Sequence, residues 1–315
     1  HKSAYHAAYL RELNTIYLMP AATEFGISGS ISPASVEQAL QENPGIGAVF
    51  ITSPTYDGIV SDIQAIAGIA HSHNLPLIVD EAHGAHFMFS RKFPSPALRC
   101  GADIAIQSLH KTLPCLTQCA LLHVNSKRIG LSLIKRFLDI YQTSSPSYLL
   151  MSSIEQCLRF LREESVSQMA EYTQILQAFY RKSENLRHLK VFHKSSCPPE
   201  LCFDHDFSKI LISVGSTGLT GKELYDALLH TYHLQLEMAS GHYATALTSV
   251  MDTKAGFQRL AAALEDIDHK NRFNEAGGKG EPLSSDLIYQ APKHGMAIGE
   301  AMAQKTETLP LPPLA

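Results

Sequence analysis

The first 124 residues alternate between two patterns of hydrophobic positions. Apolar residues recur at helical spacing in three segments, YHAAYLREL, PASVEQALQEN and SDIQAIAGIAHSHN. Short runs rich in Val, Ile and Leu lie between and after them, in TIYLMP, GAVFIT, PLIVD, DIAIQS and ALLHV. The first pattern predicts helices with one buried face, and the second predicts buried strands. Helices and strands in turn predict a mostly parallel sheet that helices cover on both faces.

The pattern changes after residue 145. A long helical stretch follows, and short strands and helices then occupy LKVFH, KILISVG, GKELYDALLHTYH, LQLEMA, YATALTSV and GFQRLAAALEDID. We therefore predict a large domain over residues 1–145, a connecting helix over 146–185 and a smaller α+β domain over 186–272. Residues 273–315 are predicted to form a loop and the start of a further region.

Composition and charge narrow the classes of function. The chain has 45% hydrophobic and 18% charged residues, which is typical of a soluble globular protein. Its net charge of -4 leaves no basic field for nucleic acid, and no apolar segment approaches the roughly 20 residues of a membrane span. Six cysteines include no C-x-x-C pair, so reduced thiols are expected. We expect a cytoplasmic protein with neither a nucleic acid nor a membrane partner.

Polar clusters follow three of the predicted strands. SPTYDG follows GAVFIT, DEAHGAH follows PLIV, and SLHKT follows DIAIQ. Ligands of open α/β sheets bind outside the carboxyl ends of the strands, so we expect the three clusters to line one crevice.

Two hypotheses for the DEAH letters require partners elsewhere in the chain. A DEAH-type nucleotide hydrolase holds magnesium at such a strand end and needs a phosphate loop, G-x-x-x-x-G-K-[ST]. The nearest match, STGLTGKE, has Ser216 where the first Gly belongs and Glu223 where Ser or Thr belongs. A zinc or iron site on Asp80, His83 and His86 would need a further ligand. We predict no metal.

A third hypothesis accounts for Asp80 and Lys111 together. Enzymes that use pyridoxal phosphate (PLP) need a lysine that condenses with the cofactor aldehyde and a carboxylate that pairs with the pyridine nitrogen. Asp80 ends one predicted strand and Lys111 follows the next, 31 residues later. Ser108 and Lys111 also spell the S-x-x-K of penicillin-binding hydrolases, but the S-D-N and K-T-G segments of those enzymes are missing.

These clusters, in order along the chain, resemble a known family. HKSAYHAAYL, SPTYDG, VDEAHGAHF, GADIAIQSLHKTLPCLTQCALLHV and TSSPSYLL are similar to segments of the bacterial Orn/Lys/Arg decarboxylases, above all their shorter Gram-positive-type members. The resemblance extends from His1 to roughly Asp268. It implies an α/β large domain of the fold-type-I PLP-dependent, transferase-like kind with a mostly parallel sheet, followed by a smaller α+β domain.

The resemblance implies roles for the residues at the strand ends. Lys111 matches the lysine that binds the cofactor covalently, and Asp80 matches the partner of the pyridine nitrogen. Ala82 would pack on one face of the cofactor ring, and His83 would hydrogen-bond the ring hydroxyl. His110, beside Lys111, would supply an acid for protonation at the substrate Cα.

Further residues match positions away from these strand ends. His1 matches the imidazole that stacks on the other face of the ring. Ser108 and Thr143 match residues that hold the phosphate, Thr143 from across a dimer interface, so a homodimer or higher homo-oligomer is implied. A basic substrate also needs an acidic partner for its distal cation. Glu237 is one candidate, although a plain strand-edge glutamate is the simpler interpretation.

The implied activity is the decarboxylation of lysine, arginine or ornithine to an amine and CO2, in polyamine biosynthesis. Another fold-type-I PLP reaction, of the oxoamine synthase or carbon-sulfur lyase type, would use the same pocket, and a non-catalytic chain would keep only the fold. In the family, a segment before HKS supplies much of the phosphate cup, and this chain closes in ETLPLPPLA. We therefore expect a piece of a longer protein that binds PLP poorly on its own and is itself inactive.

Overall fold

The computed structural model describes residues 2–270, together with positions 296, 300 and 303–305. Its helices are α1 (Lys2–Leu10), α2 (Pro33–Glu42), α3 (Ile63–Ser72), α4 (Leu109–Thr112), α5 (Leu131–Tyr141), α6 (Tyr148–Ser183), α7 (Gly221–His230) and α8 (Lys254–Lys270). Its strands are β1 (Val49–Thr52), β2 (Ile59–Val60), β3 (Leu77–Asp80), β4 (Ile104–Ser108), β5 (Ala120–Val124), β6 (Lys190–Val191), β7 (Asp204–His205), β8 (Lys209–Ser213), β9 (Met238–Ala239) and β10 (Tyr243–Leu247). Apart from the positions just given, the predicted last region, 273–315, lies outside the described residues.

The first sheet carries the polar clusters. Its strand order is β1-β3-β4-β5, and β3 pairs in parallel with both β1 and β4. The fourth strand, β5, runs antiparallel to β4. Only the short helix α4 and a brief loop join β4 to β5, and a parallel pair needs a longer crossover. The predicted mostly parallel sheet is therefore confirmed for three of its four strands.

A compact apolar core holds the strand ends of this sheet in place. Helices α2 and α3 contribute buried aliphatic side chains such as Leu40 and Ile66, which pack with Leu77 and Val79 of β3. Each such side chain contributes about 1.5–3 kcal/mol when it is fully buried. The residues that follow β3 are therefore attached to a well-packed strand.

One predicted strand is wrong. The segment TIYLMP, residues 15–20, forms no strand, and its apolar side chains Ile16, Tyr17 and Met19 are exposed. A strand needs a neighbour that pairs with its backbone groups, and no described strand pairs with this segment. Its composition favours a strand, but the fold offers it no partner.

The second part of the chain packs around the long helix α6. An antiparallel sheet of order β6-β8-β10-β9 lies with α7 and α8 against this helix, over a core that includes Tyr172 and Leu176. Helix α7 begins at a capping box, in which Thr220 and Glu223 satisfy each other's backbone N–H groups. The stretch STGLTGKE is therefore the start of a helix with its own cap. The division into domains at residues 145, 185 and 272 remains a prediction.

The two sheets meet beside the polar clusters. Strand β2, which follows the SPTYDG cluster, pairs antiparallel with β7, with Ile59 opposite His205. This pairing connects the loop after β1 to the start of β8. Among the residues that the structure describes, no helix is both long and apolar enough to cross a membrane. All six cysteines are free thiols.

Candidate active site

Side chains from the three polar clusters converge at the carboxyl ends of β1, β3 and β4. The rings of Tyr56 and His83 pack edge to face with centroids 5.2 Å apart. Lys111 Nζ lies 3.1 Å from His83 Nε2. The expected crevice is therefore confirmed, because one residue from each cluster takes part in these two contacts.

Asp80 stands at the last position of β3, where the strand leaves the sheet. In the sheet register it pairs with Thr52 on one side and Ile106 on the other. Its side chain is 9% exposed, and Oδ1 accepts a hydrogen bond of 3.2 Å from the backbone N–H of Ala82. This bond turns the chain at the strand end and holds the backbone of Ala82 beside the carboxylate.

The contact between His83 and Lys111 indicates the protonation state of the imidazole. An ammonium group has only donors, so Nε2 of His83 accepts from Lys111 and carries no proton itself. Burial, then the positive charges of Lys209 and Lys111, lower the pKa of His83 to about 3. His83 is therefore neutral at physiological pH. Its Nδ1 atom is buried and has no partner among the described residues.

Ser108 and His110 precede Lys111, at the start of the short helix α4. Ser108 precedes the helix, and its backbone N–H lies 3.4 Å from the carbonyl of Ala82, which links the ends of β3 and β4. The side chain of Ser108 makes no capping bond to the helix. His110 Nδ1 lies 2.9 Å from the carbonyl of Cys119, so the ring donates from this nitrogen.

One predicted site residue, Thr143, is not brought into the crevice, and another lies outside the described residues. Thr143 is exposed after α5, and its hydroxyl accepts a hydrogen bond of 3.1 Å from the backbone N–H of Ser145. The predicted ring-stacking residue, His1, lies outside the described residues. The roles of both therefore remain predictions.

Tyr56 and Glu237 form a second pair at the crevice, although the two residues are 181 positions apart in the chain. The hydroxyl of Tyr56 donates to Oε1 of Glu237, which precedes β9. Burial and the glutamate both raise the pKa of Tyr56. Tyr56 was not among the site residues predicted from the sequence, but its position in the cluster after β1 was a signal that could have identified it.

The other members of the DEAHGAH cluster point away from Lys111. Glu81 accepts hydrogen bonds from the backbone N–H of Ala97 and from Gln107 Nε2, at 2.7 and 2.6 Å. His86 Nε2 lies 3.1 Å from Oδ1 of Asp206. Within the described residues, no group of three or more His, Cys, Asp or Glu side chains is arranged to hold a metal ion. The separate contacts of His83 and His86 agree with that finding.

The crevice fits the chemistry of PLP. A primary amine and a buried carboxylate lie at adjacent strand ends, as an aldehyde and a protonated pyridine nitrogen require. The orphaned Nδ1 of His83 is a buried donor that a hydroxyl or phenolate oxygen of a ligand would satisfy. We conclude that Lys111, Asp80 and His83 are chemically suited to hold this cofactor.

Comparison with known proteins gives first the class and then the family. The structure of the lysine decarboxylase of Francisella novicida superposes with a TM-score of 0.70, at 18% identity, over 85% of this chain and 44% of its own. The fold is that of the fold-type-I PLP-dependent enzymes, and the crevice lies at the strand ends where this class of α/β protein binds ligands. Residues 1–207 match the family described as Orn/Lys/Arg decarboxylase, major domain. The chain belongs to this family.

Curated relatives extend the likeness over nearly the whole chain. A Bacillus cereus protein named arginine decarboxylase is 28% identical over 311 residues, and a Bacillus subtilis protein of the same name is 29% identical over 315 residues. The alignments cover 98% and 99% of this chain. The chain spans 67% and 63% of the lengths of these two relatives.

Proposed function

We propose that the protein is a PLP-dependent decarboxylase of a basic amino acid, lysine, arginine or ornithine. The observation that carries the proposal is the 3.1 Å contact of Lys111 Nζ with a neutral His83, at the strand end next to that of Asp80. The names of the relatives, arginine decarboxylase in the two Bacillus proteins and lysine decarboxylase in the Francisella structure, support a basic substrate. The cofactor would accept the electron pair released when CO2 leaves the substrate Cα.

The strand-end residues would hold the cofactor and the reacting amine. Lys111 would bind the aldehyde, and Asp80 would keep a proton on the pyridine nitrogen because a nearby carboxylate stabilises its charge. Ala82 and His1 would cover the two faces of the ring, and His83 would donate from Nδ1 to the ring oxygen. Such contacts fix the ring against the sheet edge.

Phosphate binding and proton transfer would involve three other residues. Ser108 and Thr143 would donate hydroxyl hydrogen bonds to the phosphate, Thr143 from a second copy of the chain. His110, held through Nδ1 by the carbonyl of Cys119, would deliver a proton to the substrate Cα from its other nitrogen.

Glu237 and Tyr56 would recognise the distal cation of the substrate. The carboxylate of Glu237 accepts a hydrogen bond from the hydroxyl of Tyr56 at the crevice, which fixes its orientation. An ammonium or guanidinium group would add a charge-assisted hydrogen bond to this pair. The contact with Tyr56 supports this assignment of Glu237, which the sequence offered as one candidate beside the simpler interpretation of a plain strand-edge glutamate.

The test is a direct assay, with added PLP, of the gene product expressed from its intact reading frame. Each of L-lysine, L-arginine and L-ornithine is supplied in turn, and CO2 and the amine product are measured. We expect CO2 from at least one substrate, and its loss by about a thousandfold or more in Lys111→Ala, because removing a covalent catalyst removes the reaction path.

Lys127→Ala is the matched control, because Lys127 is exposed on the loop after β5. It should retain the activity and the visible absorbance of the bound cofactor. Production of CO2 by Lys111→Ala at the wild-type rate, or no CO2 from any of the three amino acids, would refute the proposal. In the second case a bound cofactor with another product would indicate an oxoamine synthase or a carbon-sulfur lyase, and no bound cofactor would indicate a non-catalytic chain.

A further inference from the structure

Two tyrosine–carboxylate pairs join the loop after β1 to the second sheet, beside the crevice. In one pair Tyr56 of the loop donates to Glu237, which precedes β9. In the other pair the direction is reversed, because Tyr243, the first residue of β10, donates to Oδ1 of Asp57 at 3.1 Å. Since β9 and β10 are paired antiparallel, both bonds connect one loop to one hairpin. We call these four residues the clasp.

The two pairs of the clasp differ in exposure. Tyr243 is 7% exposed and Asp57 is half-buried, whereas Tyr56 is 41% exposed and Glu237 is exposed as well. Water competes for the hydrogen bonds of exposed side chains, so a bond between two of them holds its geometry weakly on its own. The more buried pair is therefore the one that can fix the loop, while the exposed pair can meet a ligand.

Tyr243 is a rigid anchor for the loop. Its ring packs in an apolar cluster with Ile59 and Leu211, and its backbone pairs with Ser213 of β8. Burial raises the pKa of Asp57, and the hydrogen bond from Tyr243 opposes that rise, so the bond stabilises the charged carboxylate. A hydrogen bond to a charged acceptor is stronger than one between neutral groups. The loop is thus tied to a ring that the core holds in place.

The loop itself transmits this anchor to Tyr56. The backbone N–H of Gly58 donates to the carbonyl of Thr55 at 3.0 Å, and the N–H of Thr55 donates to the carbonyl of Ile59 at 2.8 Å. A turn closed by such bonds moves as a unit, so an anchor at one residue restrains its neighbours. The ring of Tyr56 lies edge to face on His83, and its hydroxyl is bonded to Glu237. The anchored loop therefore reaches both the crevice and the carboxylate beside it.

We propose that Asp57 and Tyr243 are positioning residues, which hold Tyr56, and through it Glu237, at the crevice. The consequence for substrate recognition rests on the proposed function, in which Glu237 binds the distal cation of a basic amino acid. The placement of the loop is a property of the protein without cofactor or substrate. Loss of the buried bond should free the loop and leave the carboxylate of Glu237 without a fixed orientation.

The first test measures substrate selectivity in the gene product used for the activity assay. Tyr243→Phe keeps the ring in its apolar cluster and removes the hydroxyl. We expect KM for the basic amino acid to rise by about tenfold while kcat stays unchanged, because only the contact with the distal cation is weakened. The inhibition constant of L-norleucine, which has no distal cation, should also stay unchanged. A general loss of structure would weaken the binding of both amino acids.

Three further comparisons sharpen this test. Tyr232→Phe is the matched control, because Tyr232 donates a hydrogen bond of 2.6 Å to Asp266 on α8, and it should leave KM unchanged. Asp57→Asn retains an acceptor oxygen and should stay near the wild type, whereas Asp57→Ala should match Tyr243→Phe. When Glu237→Gln is already present, Tyr243→Phe should raise KM no further, because the clasp acts through Glu237. A further rise in that double variant would overturn the proposal.

The second test measures the loop without cofactor or substrate. Hydrogen–deuterium exchange of the peptide over residues 53–60 should become about tenfold faster in Tyr243→Phe, because the loop opens more often. It should stay unchanged in Tyr232→Phe. An unchanged exchange rate in a folded Tyr243→Phe would overturn the proposal, and so would an unchanged KM in an active one. The exchange experiment remains decisive even if the wild type decarboxylates none of the three amino acids.

Discussion

Asp80 and Glu81 are adjacent carboxylates with different environments. Successive side chains of a strand point to opposite sides, so the end of β3 directs Asp80 to the crevice and Glu81 into the protein. Glu81 holds the backbone at Ala97 and the amide of Gln107 on β4. Burial raises the pKa of Glu81 to about 7, despite these hydrogen bonds, which favour the ionised form. Glu81 thus supports the strand end that carries Asp80.

The raised pKa of Glu81 predicts a pH dependence of stability. The folded protein holds the proton more tightly than the unfolded chain, whose carboxyl has the ordinary value of 4.5. The free energy of unfolding should therefore fall as the pH rises from 4.5 to 7. Between about pH 5 and about pH 8 the loss should be about 2–3 kcal/mol. Urea unfolding at both pH values measures it.

Glu81→Gln isolates this contribution, because a glutamine does not ionise. The free energy of unfolding of the wild type relative to Glu81→Gln should change by about 2–3 kcal/mol between the two pH values. Glu155 lies at an exposed position of α6, so the free energy of unfolding of Glu155→Gln should change with pH as that of the wild type does. Equal pH dependence in wild type and Glu81→Gln would show that Glu81 does not bind its proton more tightly in the folded state.

At the scale of residues, the sequence predicted the part of the site that lies on neighbouring strands. Asp80, His83 and Lys111 follow consecutive strands of one sheet, so the rule for strand ends was enough to group them. The contact of His86 with Asp206 joins residues 120 positions apart, and Lys209 lies on another sheet. No local pattern encodes such a pairing, since it depends on how the two sheets meet.

At the scale of elements, two helix starts differ in how they are capped. Thr220 accepts from the backbone N–H of Glu223 at α7, while Ser32, in the same position at α2, makes no side-chain capping bond. Thr220→Ala should therefore lower the free energy of unfolding by about 1 kcal/mol. Ser32→Ala should change it by less than about 0.5 kcal/mol, as a surface substitution does. Urea unfolding of both variants checks the difference, and an equal effect would contradict it.

Elements whose patterns are satisfied locally were the easiest to predict. The helices α2, α3, α7 and α8 and the strands β1, β3, β4 and β5 occupy the predicted segments. TIYLMP was predicted as a strand and forms none, and no element was predicted where α5 lies; both segments leave apolar residues exposed. Their hydrophobic patterns are real, but no surface among the described residues buries them.

At the scale of the whole molecule, helix α5 exposes large apolar side chains that bear on the predicted dimer. No residue of α5 is buried, and Leu131, Phe137, Ile140 and Tyr141 of this helix are between 40% and 70% exposed. Monomeric proteins rarely expose so many large apolar side chains together. Thr143, whose predicted role is to reach a phosphate across a dimer interface, follows α5 directly. We infer that a second copy of the chain covers this helix.

A charged substitution on α5 should therefore dissociate the two copies of the chain. Sedimentation of the purified protein should give at least twice the chain mass of 34.6 kDa, and Phe137→Asp should shift it towards the monomer, because a carboxylate is costly at a desolvated apolar contact. Met251 is an exposed apolar residue in the segment after β10, away from α5 in the sequence. Met251→Asp should leave the mass unchanged. The Phe137→Asp monomer should also bind PLP more weakly, since Thr143 would lose access to the phosphate of the other copy. A Phe137→Asp variant that keeps both its mass and its PLP affinity would exclude α5 from the interface and leave the predicted role of Thr143 without support.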